Sequence, residues 1–158
     1  MDETFKIYFE QLKGGKIEKI DATFTPEFLS VEEESLHFKD PVQLKGEAYL
    51  ADDALILHLD AETVAVIPCS ICNEPVKVPV EIHSFYHAED IEGLKNGYFN
   101  FKEILREALL LEVPAFAECS KGNCPKRKEI VKFLKNPTST EENGNRPFAD
   151  INLDQFKP

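Results

Sequence analysis

The first half of the chain alternates apolar and polar residues with a period of two, which is typical of half-buried β-strands. This alternation predicts strands over residues 4–9, 42–49, 54–59, 62–67 and 75–82. Residues 17–28 alternate in part, but Pro26 limits the length of any element there. Because short turns separate the later strands, we expect an antiparallel β meander or a partly closed barrel in the N-terminal half.

The second half of the chain changes to the spacing of α-helices. An apolar pattern with a helical period begins after Asn100 and ends at residues 113–114, where Val-Pro stops the helix. Pro125 suits the first position of a second helix. The apolar stripe of that second helix would consist of Ile130, Phe133 and Leu134. The predicted fold class is therefore α+β, with two C-terminal helices packed on the sheet.

These elements predict a single α+β domain over residues 1–135. Residues 136–146 contain only polar, Gly and Pro residues, which is typical of a flexible linker. Residues 147–158 regain apolar side chains, and we expect a C-terminal tail or a short linear binding motif. A chain of 158 residues is long enough to bury about two thirds of its unfolded surface, so its core does not require metals or disulfides.

The chain is strongly acidic, with 18 Lys and Arg residues against 29 Asp and Glu residues and a net charge of −11. Nucleic-acid affinity depends mainly on neutralising phosphates, so this balance disfavours a general DNA or RNA binder. It serves solubility or, more specifically, a basic protein partner. The N-terminus has no secretory signal pattern and no apolar run is long enough for a membrane span, so we expect a cytoplasmic protein with no membrane partner.

All four cysteines of the chain fall in two close pairs. The first pair is a Cys-x2-Cys knuckle at the tip of a predicted hairpin, and the second is a Cys-x4-Cys pair before the second predicted helix. Paired cysteines in a cytosolic protein are more often metal ligands or redox groups than disulfides, and structural zinc often takes two thiolates from each of two loops. We therefore predict a zinc-ribbon-like clamp with a structural zinc ion bound by Cys69, Cys72, Cys119 and Cys124.

Two other interpretations of the cysteines stay open. A thioredoxin-like redox pair usually has its first cysteine at a helix N-terminus, whereas a strand pattern follows Pro75 here. The four could also be ordinary small buried residues that are paired by chance. The sequence offers no convincing Ser-His-Asp set, phosphate-binding Gly loop or metal-binding carboxylate cluster, and His83 and His87 are most simply surface residues. We therefore expect a non-enzymatic protein without a small-molecule substrate.

The segment from Lys121 to Lys135 is basic although the chain as a whole is acidic, since it has six basic residues and the single acidic residue Glu129. These candidate nucleic-acid-binding or partner-binding residues are Lys121, Lys126, Arg127, Lys128, Lys132 and Lys135. The simpler interpretation is the solvated face of an amphipathic helix. The functional interpretation is a local contact with RNA phosphates beside the cysteines.

The order of motifs resembles the YceD-like large ribosomal RNA subunit accumulation proteins of bacteria and plastids. The similar features are the knuckle with its flanks in residues 69–75, a helix that runs into Pro114, a cysteine cluster in residues 119–125, and a tail with Pro-Phe-Ala at 147–149. The second cluster departs from the family pattern. It is one residue longer between its cysteines, and Arg127 stands where many members have another cysteine.

The resemblance implies a role in 23S rRNA accumulation or processing, and so in assembly of the large ribosomal subunit, with no known catalytic activity. The acidic surface makes a ribosomal protein or another large-subunit assembly factor the first expected partner. A direct, local contact of the basic segment with 23S rRNA is the second possibility. A thiol-redox or metal-responsive protein is the third.

Overall fold

The computed structural model describes residues 2–133. The chain divides into two compact units, one that ends at Pro125 and one that comprises Lys126–Pro158. The predicted linker 136–146 and tail 147–158 lie outside the described residues, and a single domain over residues 1–135 stays a prediction. Among the helices of the described part, none has the length and apolar character that crossing a membrane requires.

Residues 2–133 contain seven strands and four short helices. The strands are β1 Lys6–Tyr8, β2 Glu18–Phe24, β3 His37–Phe38, β4 Val42–Ala51, β5 Ala54–Pro68, β6 Pro75–Asp90 and β7 Tyr98–Asn100. The helices are α1 Phe9–Leu12, α2 Lys102–Leu111, α3 Cys119–Gly122 and α4 Arg127–Ile130. The predicted α+β class is confirmed, and of the two predicted sheet arrangements the open one is found, because the sheet is not closed into a barrel.

The larger sheet is built around β5, which pairs with three other strands. β4 and β3 follow one another along one edge of β5, β6 pairs along the opposite edge, and β2 lies outside β4. All of these pairs are antiparallel. A smaller antiparallel sheet joins β1 to β7. The predicted strand over residues 4–9 is shorter than expected, since β1 pairs only with the three-residue β7.

The β5–β6 hairpin is longer than the sequence pattern predicted. The strands predicted over 54–59 and 62–67 form one strand of 15 residues, and the strand predicted over 75–82 continues to Asp90. The alternation along β5 continues through Asp60, so the two predicted strands are one. Opposite Asp60, a bulge at His83 and Ser84 shifts the alternation in β6 without ending that strand. At the bulge, Ser84 has a φ of 55° and its amide donates to Oδ1 of Asp60 at 2.7 Å.

The core lies on one face of the larger sheet, as the alternation of apolar residues requires. The side chains of β4 and β5 that belong to this core, among them Leu44 and Ala61, face the same side as Val80 and Ile82 of β6. Leu105 and Leu109 of α2 belong to the same core, together with Phe101 just before the helix. Because α2 packs on this face, its C-terminal end leads the chain toward the second cysteine pair.

The second predicted helix is much shorter than expected. The described part contains only α4, a single turn, followed by a 3₁₀ turn at Val131–Phe133. Phe133 is exposed and Ile130 is only partly buried, while Leu134 lies outside the described residues. Several closely spaced basic residues repel one another along this segment, and one turn cannot offset the cost of helix nucleation.

Candidate metal centre

The β5–β6 hairpin carries Cys69 and Cys72 at its tip, as the strand pattern predicted. The amide of Cys69 donates to the carbonyl of Glu74 at 2.8 Å, and the amide of Asn73 donates to the carbonyl of Cys69 at 2.9 Å. Asn73 has a φ of 62°, in the left-handed region that asparagine tolerates better than most residues. These bonds fold the knuckle tightly between the paired residues Pro68 and Pro75.

The second cysteine pair is attached to this tip by backbone contacts. Ala117 forms a parallel bridge with Cys69, and the amide of Ser70 donates to the carbonyl of Ala117 at 2.8 Å. The amide of Cys119 then donates to Sγ of Cys69 at 3.3 Å. The segment before Cys119 is therefore fixed against the knuckle, 50 positions away along the chain.

The longer Cys-x4-Cys spacing is accommodated by a left-handed turn within α3. Ser120, Lys121 and Gly122 have φ values of 55°, 54° and 88°. The amide of Cys124 donates to Oε1 of Glu118 at 2.9 Å, which closes the loop at its far end. The left-handed turn takes up the additional residues between the two cysteines, so both sulfur atoms of the second pair can still face the knuckle.

The four cysteine Sγ atoms all lie within 4.8 Å of one another. Those of Cys72 and Cys119 are 3.7 Å apart. A tetrahedral zinc site with Zn–S bonds of about 2.3 Å has S···S edges of about 3.8 Å, whereas a disulfide requires about 2.05 Å. All four cysteines are free thiols. Four sulfur donors from two loops at this spacing fit a tetrahedral metal ion.

Backbone amides favour the thiolate form of Cys69. Burial raises the pKa of its thiol, but N–H donors from Cys119, Cys72 and Ile71 outweigh burial and lower the pKa to about 6. The amides of Cys119 and Ile71 lie 3.3 and 3.4 Å from the sulfur. Hydrogen bonds to the charged form stabilise it, whether the thiolate is free or bound to a metal ion.

The other sulfur atoms oppose further ionisation in the absence of a cation. The side chain of Cys124, together with burial and the thiol of Cys72, raises the pKa of Cys119 to about 12. The Glu74 amide lowers the pKa of Cys72, but burial and the thiols of Cys69 and Cys124 outweigh that bond and raise the pKa overall. Like charges this close cannot all form unaided, whereas a bound cation deprotonates its thiol ligands. The cluster therefore has the electrostatic character of a cation site.

The structure brings together all four cysteines that the sequence selected, and no other group of at least three Cys, His, Asp or Glu side chains is placed to hold a metal ion in residues 2–133. His83 and His87 instead face the carboxylates of Glu81 and Glu89, at 3.2 and 2.9 Å.

The basic residues that the sequence selected are exposed in the described part, namely Lys121, Lys126, Arg127, Lys128 and Lys132, while Lys135 lies outside it. Their exposure is compatible with a solvated face and with a contact surface alike. That these residues bind a nucleic acid or a partner therefore stays a prediction.

Sequence reasoning missed the residues that close the second loop. The side chain of Glu118 accepts a hydrogen bond from the amide of Cys124, six positions later, and no sequence pattern predicts this contact. The role of Ala117 could not be predicted from the sequence either, because its contact with the knuckle is made by its backbone. The Gly122-Asn123 dipeptide is a turn signal and was the one available indication of a tight loop.

The chain has no match among family models, and no curated protein or solved structure matches it. The resemblance to the YceD-like proteins therefore stays a prediction from the order of the motifs. What the geometry gives directly is a four-cysteine cluster, within an α+β fold, that could hold a metal ion.

Proposed function

We propose that Cys69, Cys72, Cys119 and Cys124 bind one structural zinc ion. The observation that carries this proposal is the approach of their four Sγ atoms to within 4.8 Å of one another, from two loops. Zinc prefers tetrahedral thiolate sites of this kind, and a full set of four protein ligands is typical of a structural rather than a catalytic ion. The N–H donors at Cys69 would support the metal-bound thiolate as a second layer of contacts.

The ion would fasten the segment after α2 to the hairpin tip. Between Leu111 and Cys119 this segment forms neither helix nor strand. Its contacts with the knuckle include the bridge between Ala117 and Cys69 and the hydrogen bond from the Ser70 amide to the carbonyl of Ala117, and at its end the Cys119 amide donates to Sγ of Cys69. A metal ion with two ligands on each side would hold these parts together more firmly than those hydrogen bonds alone.

We further propose that the protein is a cytoplasmic, non-enzymatic factor that supports 23S rRNA accumulation and assembly of the large ribosomal subunit. The order of motifs around residues 69–75, 104–114 and 119–125 supports this assignment. The net charge of −11 favours a basic ribosomal protein, or an assembly factor with a basic surface, as the direct partner.

Two alternatives each have one supporting observation. The lowered pKa of Cys69 would suit a thiol-redox or metal-responsive protein. The exposed basic residues between Lys126 and Lys132 would suit a direct contact with rRNA. Stoichiometric zinc with four slowly reacting thiols favours the structural ion, whereas a fast, selective reaction at Cys69 in the zinc-loaded protein favours redox chemistry.

Elemental analysis of the purified full chain tests the metal centre. We expect about one zinc ion per chain, a loss of most of the zinc in Cys69→Ser and Cys124→Ser, and retention in Ser70→Ala. Ser70 is a matched control, because it lies in the knuckle and only its backbone amide contacts Ala117. Stoichiometric zinc retained in both cysteine variants would overturn the proposed ligand set.

Depletion of the protein in its source cells tests the biological role. We expect less mature 23S rRNA and a lower ratio of large to small subunits, with restoration by the wild-type chain. The tagged chain should also co-sediment with large-subunit precursors. Normal subunit ratios after depletion, together with no enrichment of ribosomal proteins or rRNA on the tagged chain, would contradict the assignment.

A further inference from the structure

A groove of about 480 Å³ lies beside the metal centre. The turn that precedes β3 forms one side of it, and the end of β5 with the knuckle forms another. The C-terminal end of α2 and the following segment complete it. The apolar side chains along it are Leu36, Ile67, Pro68, Leu110, Val113, Pro114, Ala115 and Phe116.

One large side chain in this groove is far more exposed than a folded monomer requires. Phe116 is 82% exposed, and Leu111, next in sequence to the lining residue Leu110, is 83% exposed. Leu111 does not itself line the groove, but a large apolar side chain as exposed as Phe116 on a concave surface is typical of a protein interaction site. Phe116 also precedes Ala117, whose backbone is bonded to the knuckle, so these contacts hold the backbone that carries the aromatic ring beside the groove.

The charges along the groove favour a basic partner. Glu33 is the only charged residue among the described residues that line it, and no basic residue lines it. The C-terminal end of α2, which carries partial negative charge, has no basic residue in its last turn and is followed by Glu112. Both features attract cations. They disfavour a nucleic-acid phosphate, and they disfavour a second copy of this acidic chain, which would bring a second Glu33 to the same surface.

We infer that this groove binds a short segment of a basic protein. An apolar side chain of the partner packs against Phe116 and Val113, and a neighbouring Lys or Arg faces Glu33 and the carbonyl end of α2. This inference deepens the proposed function and rests on it for the source of the partner, a large-subunit ribosomal protein. The clamp then has a specific purpose, since it builds one side of the docking surface.

An array of overlapping peptides from the large-subunit ribosomal proteins of the source organism tests the inference with the zinc-loaded full chain. We expect binding to peptides that have an apolar residue flanked by Lys or Arg. Phe116→Ser should weaken binding of these peptides about tenfold or more, as for a central interface residue. Glu33→Gln should weaken it less and should reduce its dependence on salt.

Ile17→Ser is the matched control, because Ile17 is also exposed but does not line the groove. Thermal melting and zinc content must match the wild type in all three variants, which separates lost contact from lost folding. Unchanged peptide binding in Phe116→Ser, or no bound peptide at all, would overturn the inference. So would concentration-dependent dimerisation that Phe116→Ser abolishes, because the occupant would then be a second copy.

Cells that carry only the Phe116→Ser chain separate this inference from the proposed function. Loss of peptide binding with a defect in large-subunit accumulation supports both. A normal subunit ratio in these cells, when depletion of the whole chain lowers it, overturns the groove as the working surface and leaves the assembly role intact. If depletion of the chain has no effect on the subunit ratio, the assembly role is overturned. In that case, peptide binding that Phe116→Ser weakens still supports the groove as a site for basic segments.

Discussion

The Sγ atoms of Cys72 and Cys119 lie 3.7 Å apart, although the two residues are 47 positions apart in the chain. One belongs to the tip of the β5–β6 hairpin and the other to the left-handed turn after α2. The separation is close to the S···S edge of about 3.8 Å in a tetrahedral zinc–thiolate site. Two distant parts of the chain therefore meet at a distance that suits a shared metal ion and is too long for a disulfide.

Zinc affinity should rise with pH, because thiols must lose protons to bind the ion. Cys69, with a pKa lowered to about 6, is already largely ionised at neutral pH, whereas Cys72 and Cys119 have raised pKa values and are protonated there. We expect at least about two protons to be released per zinc bound near pH 7. Competition with a chelator at several pH values measures this number, and an affinity independent of pH would contradict the thiol ligands.

The metal-free protein should show opposite pH effects from two of its cysteines. The pKa of Cys69 is lowered from its ordinary value of 9.0, so its stabilisation is fully present above pH 9 and is lost as the pH falls through about 6. The pKa of Cys119 is raised, so its stabilisation is present below pH 9 and is lost as the pH rises toward 12. Urea unfolding of metal-free Cys69→Ser and Cys119→Ser chains separates the two effects. A wild-type pH profile in the Cys69→Ser chain would contradict the first.

Gly46→Ala should destabilise the larger sheet. A Cβ atom at Gly46 would lie 2.1 Å from the carbonyl oxygen of His58 and 2.9 Å from the side chain of Leu59, so the β4 and β5 backbones would have to separate. We expect a loss of about 3 kcal/mol in the free energy of unfolding, the upper end of the usual cost of overpacking. Gly93→Ala is the matched control, because nothing lies within 4 Å of a Cβ atom there. Equal stability of the two variants in urea unfolding would show that β4 and β5 are not so close.

The bulge in the hairpin predicts opposite effects for two neighbouring substitutions. Asp60→Ala removes the acceptor of the Ser84 amide and should cost about 1 kcal/mol, because the bond is solvent-exposed. Ser84→Gly should stabilise the chain slightly, since glycine adopts a φ of 55° without strain. Thermal unfolding measures both, with Asp60→Asn as a control that keeps an acceptor. Destabilisation by Ser84→Gly would contradict the left-handed conformation.

Charge reversal in the basic segment distinguishes a protein partner from direct rRNA contact. If the partner is a basic protein, Lys128→Glu with Lys132→Glu should leave association with large-subunit precursors unchanged or stronger. Direct rRNA contact requires that the same change abolish RNA retention and flatten its salt dependence. Reversal of the exposed Lys77 on β6 is the control for net charge alone. Sedimentation at several salt concentrations decides between the two outcomes.

Local pattern was sufficient to predict much of the fold. The period of two in residues 42–49 and 75–82 placed apolar side chains on one face, and that face is buried in the structure. The same pattern placed Cys69 and Cys72 at a hairpin tip. It failed at His83 and Ser84, where a bulge shifts the alternation of β6 without ending the strand, and after Pro125, where the described residues form only one turn of α-helix.

The sequence by itself determined which sulfur atoms are available and that they come in two pairs, because ligand chemistry is a property of residue type. Only the tertiary structure decided that the pairs meet, since long-range strand pairing and the position of α2 set the distance between Cys72 and Cys119. The tertiary structure also decided that Phe116 is exposed beside a groove that an acidic residue lines. Exposure depends on which neighbours the fold supplies, and no local pattern encodes that.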